Sequence, residues 1–129
     1  MGKAVHDDVL DAALDFISTN AAKLVVLSGE PADYTAATTT PASSGVMLAD
    51  SAALSGASFT GPADGTSGGR KLTVAAQSAV DVDYEGTATH VSIVSSTAVL
   101  VTTTCSSQAL AAATQVDVPA WNITFNDPT

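Results

Sequence analysis

The sequence predicts a mainly β protein: an antiparallel β-sandwich or small barrel preceded by one N-terminal α-helix. Three observations lead there. Residues 6–20 carry apolar side chains at helical spacing. From residue 70 onward, apolar and polar residues alternate, as in strands with one buried face. Turn-forming residues recur at short intervals and no second helical pattern follows. A length of 129 residues suits one domain. We therefore read 1–129 as a single unit, with the helix at 6–20 and a β-rich body over 23–129 that includes a polar loop at 30–45.

The helical segment is HDDVLDAALDFISTN. Val9, Ala13, Phe16 and Ile17 follow the helical repeat, with Leu10 and Leu14 beside them. Asp7, Asp11 and Asp15 form a stripe on the opposite side, as a solvated face requires; a docking surface for a basic partner is the sharper alternative. Asp7 and Asp8 suit the helix N-terminus, where backbone N–H groups are unpaired, and Asn20 is a plausible stop. Isolated helices of about fifteen residues are marginal in water, so the apolar side must be covered. The cover is either the protein's own sheet or a neighbouring subunit. The next segment, KLVVL, is apolar on both parities and reads as a strand buried on both faces, one toward the interior and one toward the helix. Leu14 and Phe16 are accordingly expected to be buried within the same chain, with the acid stripe exposed and Asp11 dispensable for folding.

EPADYTAATTTPASSG is a polar connection, long enough to reach a partner. Short strands follow at VMLAD and ASFTG, and GPADGTSGG (61–69) reads as a flexible turn region. In RKLTVAAQSAVDVD, Leu72, Val74, Ala76, Val80 and Val82 share one face, and Thr73, Gln77, Asp81 and Asp83 the other. GTATHVSIVSS and TAVLVTTTC form the next pair, joined near Ser95–Ser96. In QVDVPAWNITF the apolar parity flips at Pro119–Ala120. Pro lacks the ladder donor, so a bulge or a sheet-changing bend belongs there.

Composition bounds the function. Hydrophobic residues make up 46% and charged ones 13%, the reverse of a disordered chain. With aromatics at 5% the core is thin, and association with copies or a scaffold would stabilise it. The net charge is −9, and the only basic residues are Lys3, Lys23, Arg70 and Lys71. Nucleic acid and anionic membrane, which select basic faces, are poor partners for such a chain. The lone Cys105 excludes an intrachain disulfide and a cysteine-based zinc cage. Acids interrupt the first apolar run, so no secretory signal is expected, and no stretch is long and apolar enough to cross a bilayer.

Asp81, Asp83, Glu85 and Gly86 match the first half of an EF-hand loop, D-x-D-x-x-G. The second half fails: the twelfth position holds Ser92 in place of a bidentate Glu, and the flanks alternate as strands. Glu85–Gly86 is better read as a hairpin turn with Asp81 and Asp83 facing outward; a calcium ion, if bound, would use Asp81, Asp83 and Glu85. His6 and His90 lie far apart without a second ligand at metal spacing. Cys105, His90 and Asp117 are a conceivable nucleophile, base and orienter, but TTTCSSQ gives no local support and Cys105 reads as a strand residue. GTSGGRK departs from the phosphate-loop pattern at Arg70 and Leu72. Trp121 reads as core, with an interface anchor as the alternative. Leu14, Phe16 and Trp121 are thus the core or interface candidates, and no enzyme activity, cofactor or metal is expected.

AVHDDVLDAALDFISTNAAKLVVLSGEPADYTAATTT, GRKLTVAAQSAVDVDYEGTATHVSIV and VDVPAWNITFNDP together resemble small structural proteins encoded in tailed-bacteriophage genomes, of the head decoration or neck type. The resemblance spans nearly the whole chain and brings no catalytic residues. It implies a short N-terminal helix before a β-rich body, and a virion protein made in the host cytoplasm. A capsid decoration (cement) protein on the head shell is the first expectation, and a neck or tail component the second. A calcium- or glycan-binding adhesive module, resting on the acids at 81–85, is a third. The implied partners are the major capsid protein or other virion proteins. A homo-oligomer is expected, a trimer by analogy with decoration proteins at capsid threefold positions.

Overall fold

The computed structural model describes residues 4–128. It is mainly β, with an N-terminal helix ahead of antiparallel sheets packed on one another. Helix α1 (Asp7–Asn20) leads into β1 (Lys23–Leu27), a one-turn helix α2 (Tyr34–Ala37), β2 (Met47–Asp50), β3 (Phe59–Asp64) and β4 (Arg70–Val74). Then come β5 (Gln77–Asp81), β6 (Gly86–Val94), β7 (Val99–Leu110), β8 (Gln115–Val118) and β9 (Trp121–Phe125). The strands make a four-stranded sheet in the order β2-β1-β6-β7, a three-stranded sheet β3-β4-β9 and a two-stranded ladder β5-β8. All pairings are antiparallel.

The last two sheets are halves of one bent ladder. β4 pairs with β9 up to Val74 opposite Trp121, and β5 resumes with β8 at Gln77 opposite Val118. The bend falls at Ala75–Ala76 on one strand and at Pro119–Ala120 on the other, where the parity flip predicts it. The even-numbered face of 70–83 holds at Leu72, Val74, Val80 and Val82, which are buried, but not at Ala76, which lies at the bend and is exposed. It holds because two irregularities cancel. The bend at Ala75–Ala76 puts odd-numbered Gln77 opposite core Val118, and an extra residue between Gln77 and Val80 restores the even parity. Ala79, in that bulge, has φ 54° and donates its N–H to Asp117 Oδ1 at 2.7 Å.

β1 is buried on both faces, as KLVVL predicts. Leu24 and Val26 join the main core with Leu14, Ile17, Leu72, Val91 and Ile123. Val25 and Leu27 point the other way, onto a second cluster with Val94 and Ala37. What covers that second face corrects the sequence reading. It is the 28–46 connection, not α1. Asp33 caps α2 by accepting the Ala36 N–H at 2.8 Å, Ala37 is fully buried, and Tyr34 and Val46 pack beside it. The polar loop thus folds back on its own sheet instead of reaching outward.

Helix α1 lies against β3 and β4 and closes the main core. His6 caps it, with Nδ1 accepting the Asp8 N–H at 3.2 Å, and Asn20 Nδ2 donates to the Phe16 carbonyl at 2.8 Å at the other end. Leu14 is buried as expected, but Phe16 is 59% exposed and Val9 61%. The burial line runs through Leu10, Leu14 and Ile17, one flank of the expected apolar face, while Val9, Ala13 and Phe16 on its other flank are exposed, so the helix is turned by roughly 50° from the expected orientation. Arg70 supplies the reason. Its Nε and Nη2 reach Asp11 Oδ1 and Oδ2 at 2.6 and 2.9 Å, and its Nη1 reaches Asp64. Holding this fork turns Asp11 toward β4 and carries Phe16 outward. Asp11 is therefore not a dispensable member of a solvated stripe; it is the helix's polar tether to the sheet, and it holds the Arg70 guanidinium in its charged form.

Two further expectations shift. β3 extends through Pro62 into the stretch read as a turn, which an edge strand tolerates. The segment at Asp81–Gly86 is not a hairpin. β5 pairs with β8, and β6 with β1 and β7, so residues 82–85 cross between sheets. The N–H groups of Asp83 and Tyr84 both bond the Leu48 carbonyl on β2, at 2.8 and 3.1 Å.

Candidate functional site

Between Glu85 and Asp117 the chain contains no Asp, Glu, Lys or Arg. In a protein of net charge −9 this is a large neutral tract, and it folds into β6, β7 and the approach to β8. Among the described residues, β7, twelve residues long, pairs only with β6 and leaves its other edge unpaired. β9 is likewise an edge strand, paired only with β4, and β8 is paired only with β5. These free edges face one another.

Three cavities line up along the interval. One of about 440 Å³ lies between residues 100–103 of β7 and 121–125 of β9. The next, about 220 Å³, lies between Thr103–Cys105 and the bend at Val118–Asn122. The third, about 270 Å³, lies between Cys105–Leu110 and Val116–Pro119. Neighbouring cavities share lining residues: Thr103, Trp121 and Asn122 at one junction, Val91, Cys105, Val118 and Pro119 at the other. Together they form one seam, with β7 ascending as the β8–β9 segment descends.

Core side chains floor the seam. Ile17, Val26, Val91 and Ile123 belong to the main cluster and also line these cavities. Trp121, expected as core or anchor, sits half-buried at the centre, and its Nε1 is buried without a hydrogen-bond partner among the described residues. A buried donor of this kind normally finds an acceptor. Strand edges in natural proteins are usually blunted by charge, proline or bulges. β7 carries no charge and no proline; its irregularities are a bulge between the Ala88–Gln108 and His90–Thr104 pairs and a second between the Ile93–Val101 and Val94–Val99 pairs.

The other candidate residues have structural employment. Cys105 and Asp117 line one cavity, but Asp117 is bonded to the Ala79 N–H, and His90 Nδ1 lies 2.8 Å from the neighbouring Thr89 Oγ1. Desolvation pushes the Cys105 thiol up, the reverse of nucleophilic activation. In the glycine-rich turn, the Gly69 N–H is occupied by Asp127 Oδ2 at 3.1 Å, and Arg70 by Asp11 and Asp64.

Asp81, Asp83 and Glu85 do not converge. Asp81 accepts from Gln115 Nε2 at 3.0 Å, and Glu85 is exposed. Asp83 lies beside Asp50, whose Oδ2 accepts from Lys23 Nζ at 2.5 Å. Among the described residues, no three His, Cys, Asp or Glu side chains are grouped to hold a metal ion; the cation at this corner is a lysine. Partial burial, then the neighbouring Asp50 carboxyl, hold the Asp83 carboxyl above its usual range, with Lys23 opposing. Asp50 in turn pushes Lys23 up. A carboxyl raised in the folded state contributes stability at low pH that is lost as pH rises through the raised value. Asp83→Asn should therefore raise the melting temperature at pH 7, and the gain should vanish below about pH 4, where the carboxyl is protonated in folded and unfolded chains alike. Thermal melts of both proteins across that range check this; a lower melting temperature for the variant at pH 7 would contradict it.

No protein-family model, curated protein or solved structure matches the chain. Among the described residues, no helix is long and apolar enough to cross a membrane. The seam was missed in the sequence because edges are made by pairing, which alternation does not specify. Its one legible signal was the charge-free tract from Gly86 to Val116.

Proposed function

We propose that the protein is a non-enzymatic structural component of a tailed-phage virion, bound in many copies to the head shell as a decoration protein. The observation that carries this reading is the neutral, unpaired edge of β7 on an otherwise acidic chain. Such an edge suits protein–protein contact, and the acidic remainder favours solubility before assembly. The sequence resemblance supports the same reading. So does the exposed Val9–Phe16 face of α1, an apolar stripe that the described residues leave uncovered.

A neck or tail component is the second reading. The free β7 edge favours it too, because neck and tail components are also held by protein–protein contacts of the kind an unpaired strand edge supplies. Copy number separates the two. Quantitative gel analysis of purified virions should give a number comparable with the major capsid protein. A dozen copies or fewer would overturn decoration in favour of the neck.

A further inference from the structure

We infer that the seam between β7 and the β8–β9 segment is a receptor for one extended segment of a different protein, inserted as an additional strand. This goes beyond the virion reading, with which it shares the free β7 edge, and it is tested separately because it concerns what the isolated protein binds.

The chemistry follows from the edges. Each unpaired strand presents a row of backbone N–H and C=O groups, and an extended polypeptide satisfies both rows at once. The seam runs alongside β7 from Leu100 to Leu110; bulging sets Val101–Leu110 opposite only Gly86–Ile93 on β6, so at about 3.3 Å per residue the seam spans roughly 25 Å and accommodates a segment of about eight residues. Side chains at alternate positions would meet the apolar floor of Ile17, Val26, Val91 and Ile123. The Trp121 indole N–H, buried and unpartnered at the centre, offers a donor to the incoming backbone.

Charge selects the occupant. No Lys or Arg lines any of the three cavities, and Asp117 is the single charged residue among their linings. With a chain charge of −9, an acidic segment would be repelled, and a neutral or lysine-bearing one accepted. A second copy of this chain fits less well. Its own β7 edge comes attached to a sheet, whereas a seam walled on both sides admits a single strand, and two copies bring like charges together.

The test uses the full-length protein and a synthetic probe, the peptide Lys-(Thr-Val)4-Lys. Trp121 is the only tryptophan, so its fluorescence reads the seam directly. The expected result is a saturable emission shift, with amide exchange in Val99–Leu110 slowed about tenfold or more at saturation. A peptide with proline at alternate positions should give neither effect, and a Glu-flanked version should bind more weakly. Thr103→Glu should abolish binding while leaving the melting temperature unchanged. In the free protein, alternate β7 amides should exchange fast, because only those facing β6 are bonded. Uniform protection of β7 in the free protein at low concentration would show the seam closed and overturn the inference. Equal binding of the proline peptide, or no protection at millimolar probe, would also overturn it. Protection of β7 that appears on concentrating the protein alone would assign the edge to a second copy.

Discussion

Leu14→Ala should destabilise the isolated protein by about 3–5 kcal/mol, whereas Phe16→Ala should change it by no more than about 0.5 kcal/mol. The two residues lie two positions apart on one helix, and size alone would rank them the other way. Burial decides. Leu14 is fully enclosed in the cluster that contains Leu24, Leu72 and Ile93, so its loss leaves a cavity the surrounding strands cannot fill. Phe16 is 59% exposed, so truncation removes little buried surface. A domain of this size typically has only about 5–15 kcal/mol of stability, so Leu14→Ala removes a large share. Chemical denaturation of the purified variants measures both. If Phe16→Ala proved as costly as Leu14→Ala, the helix orientation set by the Asp11–Arg70 fork would be wrong.

Gly45→Ala should be the second damaging substitution, costing at least about 2 kcal/mol. A Cβ at Gly45 would sit 1.8 Å from the Thr39 carbonyl oxygen and 2.4 Å from its carbon. Both are backbone atoms, so no side-chain rotation relieves the clash. The Gly45 N–H bonds the Thr40 carbonyl at 3.0 Å, and the next two residues bond Ala36 and Thr39, stitching the 28–46 connection into a lid. Displacing it uncovers Val25, Leu27 and Val94 on the outer face of the four-stranded sheet. Denaturation of the variant gives the energy, and binding of a hydrophobic dye reports the uncovered face. A variant as stable as the parent would mean that this connection is not part of the core.

These effects mark where the sequence was legible. The helix, the two-sided β1, the turn near Ser95–Ser96 and the switch at Pro119–Ala120 each have a local cause: periodicity, or proline's missing donor. They could be read one segment at a time. The helix rotation could not, because it depends on Arg70 reaching back 59 positions to Asp11. Asp11 looked like one acid in a solvated stripe because its partner's location was unknown. The Asp81–Gly86 segment misled for a related reason: its local pattern fits a hairpin, and only the pairing of β5 with β8 shows that it crosses between sheets. The 30–45 connection looked like a free loop because its polar composition hides Ala37, the small residue that docks it. The seam lay furthest from local signals, since it is defined by two strands that do not pair.

The most direct measurement is a reconstruction of the purified virion that carries this chain. It should place the fold on the outer surface of the head shell, in copies that track the major capsid protein, with the β7 seam filled by a segment of a neighbouring chain. Purified particles that lacked the chain altogether would contradict its reading as a virion structural protein.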